Sequence, residues 1–225
     1  MSERRLLAID TSGTNALVAL GEADGALVTE NRWLAGYRHG QELLTRIDEL
    51  LTTTGTPLAA LGGIVVGTGP GAFTGLRVGL ATAKALARGL GVPIAGVPTS
   101  EALLDAASLA GAFEGTHAVL LLPAGPSDRV VVAGGLARLV RGGDEPEVEP
   151  DATLVAVDLP GRAPEDALAL GAQAEIGLST ALLRLGAERL AHGGDDVARL
   201  VPEYVTLPRG VPAMKGEVRW SHDRR

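Results

Sequence analysis

A chain of 225 residues suits one compact unit or two small lobes, and at that size a core needs no disulfide or metal to hold it. Cysteine is absent, which excludes a disulfide framework and any Cys-based zinc site. A net charge of −7 and only two each of Phe, Trp and Tyr argue against a chain that grips nucleic acid by itself, through phosphates or stacked bases.

The N-terminus has a basic start, but its apolar run from Leu6 to Ile9 breaks at Asp10, too early for a signal peptide. No stretch approaches the roughly 20 apolar residues of a membrane span. The expectation is a cytoplasmic protein with no membrane contact. Leu6 to Asp10 reads as a strand and Ala16 to Gly21 as its hairpin partner, with turn residues between them. Leu27 to Trp33 is a third strand. A helix follows from about Gln41 to Thr54, with Leu43, Leu44, Ile47, Leu50 and Leu51 at the 3.6 period, and Gly55-Thr56-Pro57 stops it.

Gly63 to Gly67 predicts a short buried strand, then a glycine-rich turn, then a helix from about Thr74 to Leu90 closed by Gly91. Val92 to Val97 is another strand, and Thr99 or Ser100 is expected to cap a helix beginning at Glu101. In the second half, Ala118 to Leu122 and Val130 to Ala133 read as strands joined across Gly125-Pro126-Ser127-Asp128. Leu154 to Val157 is a short strand. Helices are expected over Glu165 to Ala172 and Leu178 to Ala191. Strands alternating with helices predict an α/β layered fold.

Two segments carry candidate chemistry. Asp10-Thr11-Ser12-Gly13-Thr14 ends a strand in an acid followed by small hydroxyl residues, a pattern suited to phosphate and a metal-bound water; a hairpin turn with a solvated Asp is the plainer reading. Gly67 to Gly79 begins with three glycines after a strand and leads into a helix N-terminus, where free N–H groups favour an anion. It is neither a P-loop nor a dinucleotide fingerprint. Asp10, Thr11, Ser12, Gly69 and Gly71 are therefore the candidate nucleotide or phosphate contacts. Along the following helix, Gly75, Gly79, Ala83 and Ala87 recur every four residues and line one face. An internal Gly costs a helix about 1 kcal/mol relative to Ala, so the ridge calls for close approach, either by the chain's own sheet or by a partner helix.

Other chemistry is poorly supplied. His39, His117, His192 and His222 lie far apart, so no metal site is expected and no zinc-protease helix exists. No nucleophile elbow is present, and Glu145, Glu147 and Glu149 read as a solvated charge run. No residue is assigned a catalytic role.

Leu7-Ala8-Ile9-Asp10-Thr11-Ser12, His39-Gly40-Gln41-Glu42-Leu43-Leu44, and Gly69-Pro70-Gly71-Ala72-Phe73-Thr74-Gly75-Leu76-Arg77-Val78-Gly79 resemble the TsaB (YeaZ) family in order and spacing. Gly91-Val92-Pro93-Ile94 and Val97-Pro98-Thr99-Ser100 continue the match. The resemblance implies an actin/Hsp70/sugar-kinase-like (ASKHA) fold of two related lobes: 1–105 the first, 106–207 a more divergent second, and 208–225 a loosely held tail. It implies a non-catalytic assembly partner of TsaD, the subunit that transfers threonylcarbamoyl to an adenosine beside the tRNA anticodon. A TsaE-type ATPase would join through the complex, tRNA would be met indirectly, and a homodimer is a further expectation. No cofactor is expected on this chain itself, with ATP entering at the level of the complex. The first lobe would meet TsaD, or a second copy, through a helical bundle, with Gly75, Leu76, Gly79, Leu80 and Ala83 in the contact. The sequence departs from the family at Pro123-Ala124-Gly125, where Asp-Ala-Arg is common, and at Thr206, where Arg is usual after Pro202-x-Tyr204. The competing reading is an actin-fold ATPase or small-molecule kinase using Asp10 and the Gly69 to Gly71 turn; a metallopeptidase is disfavoured by ligand count.

Overall fold

The computed structural model describes residues 4–36, 39–111 and 117–205. Its first sheet comprises β1 (Arg5–Asp10), β2 (Asn15–Gly21), β3 (Leu27–Leu34), β4 (Leu61–Gly67) and β5 (Ile94–Val97), in the order β3-β2-β1-β4-β5. β1, β2 and β3 pair antiparallel, whereas β4 and β5 run parallel to β1. Two helices supply the crossovers to the parallel strands, α1 (His39–Thr54) between β3 and β4 and α2 (Phe73–Leu90) between β4 and β5.

After α3 (Thr99–Leu109) a second sheet repeats the plan. Its strands are β6 (Ala118–Pro123), β7 (Arg129–Ala133), β8 (Leu136–Val140) and β9 (Thr153–Ala156), in the order β8-β7-β6-β9. Again the first three pair antiparallel and the last lies parallel to the first. The second sheet is thus the first one minus its fifth strand. α4 (Glu165–Ala191) is the last helix among the described residues.

Strand alternation builds the layers. Leu7, Ile9, Ile64 and Val66 face α1 and α2, where they meet Leu43, Ile47, Leu80 and Ala83. Their neighbours Leu6, Ala8 and Val65 point the other way, into a core shared with α3, α4 and the inner face of the second sheet (Leu120, Leu122, Val130, Val132). Because successive side chains of a strand face opposite sides, these almost uninterrupted apolar runs read as strands buried on both faces. The outer face of the second sheet has only a small cluster around Val119, Leu121, Val131 and Leu159.

Three local expectations are corrected. The two helices expected in the last third are one continuous helix, α4. Its internal Gly171 does not break it. A Cβ there would lie 1.8 Å from the Ala156 carbonyl oxygen, so the glycine lets the helix cross β9 in contact with its backbone. β8 has no counterpart in the sequence reading. It is paired through a two-residue turn at Gly134-Gly135, both at positive φ, the geometry of a tight hairpin. Neither Thr99 nor Ser100 caps α3: Pro98 holds the N-cap position without a side-chain bond, because the Thr99 hydroxyl is used elsewhere. Gly91 does take the left-handed C-cap of α2, at φ 67.

The chain's later part does not stay with the second sheet. α4 packs against both sheets, and Asp195 forms a bridge with Ile94 at the edge of β5. Among the described residues, no helix is long and apolar enough to cross a membrane. The expected tail, 208–225, lies outside the described residues.

Candidate functional site: the Asp10 turn and helix α2

Asp10 ends β1 in the middle of the first sheet, where both neighbouring strands shield it, and it is 2 % exposed. It is not a solvated turn residue. One carboxylate oxygen accepts the Ser12 N–H at 2.8 Å and the Ser12 hydroxyl at 2.7 Å. The other accepts the Thr99 hydroxyl at 2.6 Å. Thr99 in turn accepts the Gly69 N–H at 3.2 Å. Burial pushes the Asp10 carboxyl above its ordinary range, against the pull of the Thr99 and Ser12 bonds and of the Arg32 charge. A charge this far from water persists only when hydrogen-bonded, and the hydroxyls of Ser12 and Thr99 supply that requirement.

The other candidate contacts are likewise turned inward. The Thr11 hydroxyl donates to the Gly75 carbonyl at 2.7 Å, and the Ser12 carbonyl accepts the Ala72 N–H at 2.6 Å. A Cβ on Gly71 would lie 2.3 Å from that same carbonyl oxygen. The β1–β2 turn and the Gly69–Gly71 turn are therefore zipped together. A fold of this type implies a nucleotide, but as folded these residues do not fit a triphosphate: the Asp10 oxygens, both hydroxyls and the N–H groups of Gly69 and Ala72 already have partners within the chain.

The small-residue ridge of α2 also faces inward. Gly75, Leu76, Gly79, Leu80, Ala83 and Ala87 are all buried, and a Cβ on Gly79 would lie 2.2 Å from the Thr11 hydroxyl oxygen. The backbone that approaches so closely is the chain's own turn and sheet. A partner meeting α2 of this chain would touch its opposite edge, where Thr74, Arg77, Ala81, Ala85 and Arg88 are exposed. α1 packs beside α2 and exposes Leu44, which is 62 % accessible.

Where the lobes meet, the β1–β2 turn touches the second half through polar groups. The Thr14 N–H donates to Asp158 at 3.3 Å and the Asn15 amide to Glu175 at 3.4 Å. Arg32 on β3 reaches α4, donating to the carbonyls of Glu175 and Ile176 and to the Ser179 hydroxyl, while it pairs with Glu30. Burial and the nearby Asp158 charge raise the Glu175 carboxyl above its ordinary range. The segment that departs from the family pattern forms a closed turn: the Ala124 N–H donates to the Asp128 carbonyl at 2.9 Å, and Arg162 binds the Gly125 carbonyl at 2.9 Å.

One group of metal-ligating type occurs among the described residues. His117, Glu149 and Asp151 bring ligand atoms within 4.8 Å of one another, all three exposed. Glu147 and Glu149 are also exposed and pair with Arg138 and His117.

The paired sheets with their 3-2-1-4 strand order and the acidic β1 terminus define a two-lobed α/β protein of the actin/Hsp70/sugar-kinase type. The chain belongs to the family of tRNA N6-adenosine threonylcarbamoyltransferase, TsaD, whose model matches residues 33–198, and within it groups with TsaB (YeaZ). It is 41 % identical over 95 residues to the tRNA threonylcarbamoyladenosine biosynthesis protein TsaB of Escherichia coli (strain K12), a match covering 42 % of this chain and 40 % of that one. It is 37 % identical over 110 residues to TsaB of Haemophilus influenzae, covering 48 % and 44 %. The matched segments thus span less than half the length of these curated relatives. The solved structure of YeaZ from Pseudomonas aeruginosa superposes with a TM-score of 0.66 at 24 % identity, covering 89 % of this chain and 99 % of that one, and so shares the fold.

Proposed function

We propose that this chain takes part in forming N6-threonylcarbamoyladenosine on tRNA as a non-catalytic partner of a TsaD-type catalytic subunit. Family membership supplies the pathway. The observation that carries the non-catalytic part is the inward commitment of the Asp10 turn: in the free chain its acid and hydroxyls bind one another rather than a phosphate. The docking face follows from the burial pattern. With Gly75, Gly79 and Ala83 spent on the chain's own turn and sheet, the surface left to a helical bundle is the outer edge of α2, from Thr74 through Arg77 and Ala81 to Ala85, with Leu44 of α1 beside it. Small side chains there admit a helix at close range, and the same face could serve a homodimer. A TsaE-type ATPase and tRNA would be met through the complex, and the setting is the cytoplasm.

The test is reconstitution. The purified chain, the catalytic subunit, tRNA and threonylcarbamoyl-adenylate should yield modified adenosine only when both proteins are present. The chain alone, given ATP and Mg²⁺, should release no phosphate above a heat-killed control. Modification by this chain alone, or phosphate release that Asp10→Asn abolishes, would overturn the reading in favour of an autonomous actin-fold enzyme.

A further inference from the structure

After α4 the chain runs back over the first lobe. The Asp195 N–H donates to the Ile94 carbonyl at 2.8 Å, and the Asp195 carboxylate accepts the Gly96 N–H at 2.7 Å. Arg189 donates to the Gly96 carbonyl at 2.6 Å. β5 is the last strand of its sheet, and an edge strand presents unpaired backbone groups. Here they are met by one bridge and two side chains instead of a sixth strand. Farther along, Leu200 lies so close to Gly96 that a Cβ there would stand 2.4 Å from its Cδ1. The Glu203 N–H donates to the Thr68 carbonyl at 2.8 Å. The Tyr204 ring then packs on Phe73, the first residue of α2, at 4.9 Å between centroids, and the Arg77 guanidinium lies 5.2 Å over that same Phe73 ring.

This attachment is specific but thin. Val197 and Leu200 are its partly buried apolar anchors, whereas Val201 and Tyr204 are 66 % and 47 % exposed. Open grooves of about 360 and 300 Å³ run alongside it, lined by Glu101, Glu188, Arg189, Asp195 and Glu203 among others. A segment held by a few backbone bonds with little buried apolar surface opens locally at low free energy. What it grips is not incidental. Thr68 and Phe73 stand on either side of the Gly69–Gly71 turn, and Phe73 also carries Arg77 of the exposed α2 edge.

We propose that residues 195–205 form a releasable strap whose docking fixes the first turn of α2, so that strap docking and subunit binding on the outer edge of α2 are coupled. The coupling rests on the docking face proposed above. With the strap docked, the Arg77–Phe73–Tyr204 stack presents one arrangement of the α2 N-terminus. With it released, the Thr68 carbonyl loses its donor, the Phe73 ring keeps only Arg77, and that end of the helix gains freedom. A subunit that reads Thr74 and Arg77 binds the docked form better, and by reciprocity its binding must favour docking.

Hydrogen–deuterium exchange on the full chain, free and saturated with the catalytic subunit, tests this. In the free chain the amides of 195–205 should exchange faster than those of β1 and β4, and the subunit should slow them together with the first turn of α2. Leu200→Ser should raise strap exchange in the free chain and weaken subunit binding by about 5- to 150-fold, the usual range of coupling between sites. Should that variant fail to fold, Tyr204→Ala, at a half-exposed position, supplies the same two readings. Slowed exchange on α2 with none on the strap refutes the coupling and leaves the docking face standing. So does a variant whose strap is loosened yet binds with wild-type affinity. Binding that protects neither α1 nor α2, or no binding at all, refutes the docking face and the coupling with it.

Discussion

Gly67 offers the sharpest probe of the Asp10 network. It ends β4 beside Asp10, and a Cβ built on it would lie 1.8 Å from one Asp10 carboxylate oxygen, 2.7 Å from the carboxylate carbon and 2.8 Å from the Thr99 hydroxyl. No rotamer change of a flexible chain end relieves this, because the carboxylate is held on both oxygens. Gly67→Ala must therefore expel the carboxylate from its donors. Hydrogen bonds to charged groups contribute about 1.5–3 kcal/mol each, and each buried group left unpaired costs about 1–3 kcal/mol. Loss of the Thr99 bond and distortion of the Ser12 pair then amount to about 3–5 kcal/mol, or a fall in Tm of about 6–20 °C for a chain of this size. Asp10→Ala should cost a similar amount alone. The two costs should not add, since removing the carboxylate vacates the space the new methyl needs; a coupling of at least about 1.5 kcal/mol is expected in the double-mutant cycle, read from urea midpoints at constant slope. Wild-type stability in Gly67→Ala, or strict additivity of the two changes, would refute the account of Asp10 as a locked structural acid.

Ala83→Trp should lower Tm sharply, because Ala83 is fully buried against the first sheet and overpacking typically costs about 1–3 kcal/mol or more; an unchanged melt would return this residue to the surface. Ala81→Arg, on the exposed edge of the same helix, should leave the melt within a degree or two yet abolish co-purification with the catalytic subunit, and normal co-purification would move the docking face elsewhere. Glu175 carries a carboxyl raised by burial and by Asp158, so its ionisation opposes folding: its contribution is fully present below the unfolded value near 4.5 and is lost as pH rises through the higher folded value. Glu175→Gln should accordingly gain in Tm over wild type at pH 7 and lose that advantage by pH 4; a gain that is the same at both pH values would reject the assignment.

The first lobe was readable because four of its five strands, β3 excepted, are buried on both faces and the boundaries carry turn chemistry. Gly55-Thr56-Pro57 ends α1 and Gly91 ends α2 as the sequence indicates, and strand limits agree to within two residues. The errors have common physical causes. β8 buries almost nothing: Leu136 is 79 % exposed, so Leu136–Val140 carries no alternation to mark it as a strand. The break expected between Ala172 and Leu178 is absent because α4 runs on through it, and Gly171 marks its crossing over β9. The candidate site was legible in part. Asp10, Ser12 and Gly69 do cluster, but the group that decides what they do is Thr99, 89 residues from Asp10 in the chain. Its hydroxyl looked like a helix cap because the alternative acceptor is visible only once β1 and α3 are brought together. The ridge of α2 shows the same limit: small residues announce that something comes close, and only the fold says that it is Thr11.

The network around Asp10 also explains why the two turns of the first lobe behave as one body. Ser12 binds the carboxylate and, through its carbonyl, Ala72; Thr99 binds the carboxylate and Gly69; Thr11 binds Gly75. Each of these residues thus ties two parts of the first lobe together. In a working phosphate site these donors would have to remain free and preorganised, at a cost in stability that the ligand offsets. Here the chain offsets it internally, and the end of β1, the glycine turn and the start of α3 are tied to one another by their own bonds. Arg32, Asn15 and Thr14 extend the tie to α4 and Asp158. The shared core around Leu6, Leu120 and Leu182 joins the two lobes as well. The body of α2 is thus anchored to the lobe through Thr11 and Gly75, while its first turn, at Phe73 and Arg77, is where the proposed strap at 195–205 adds its hold.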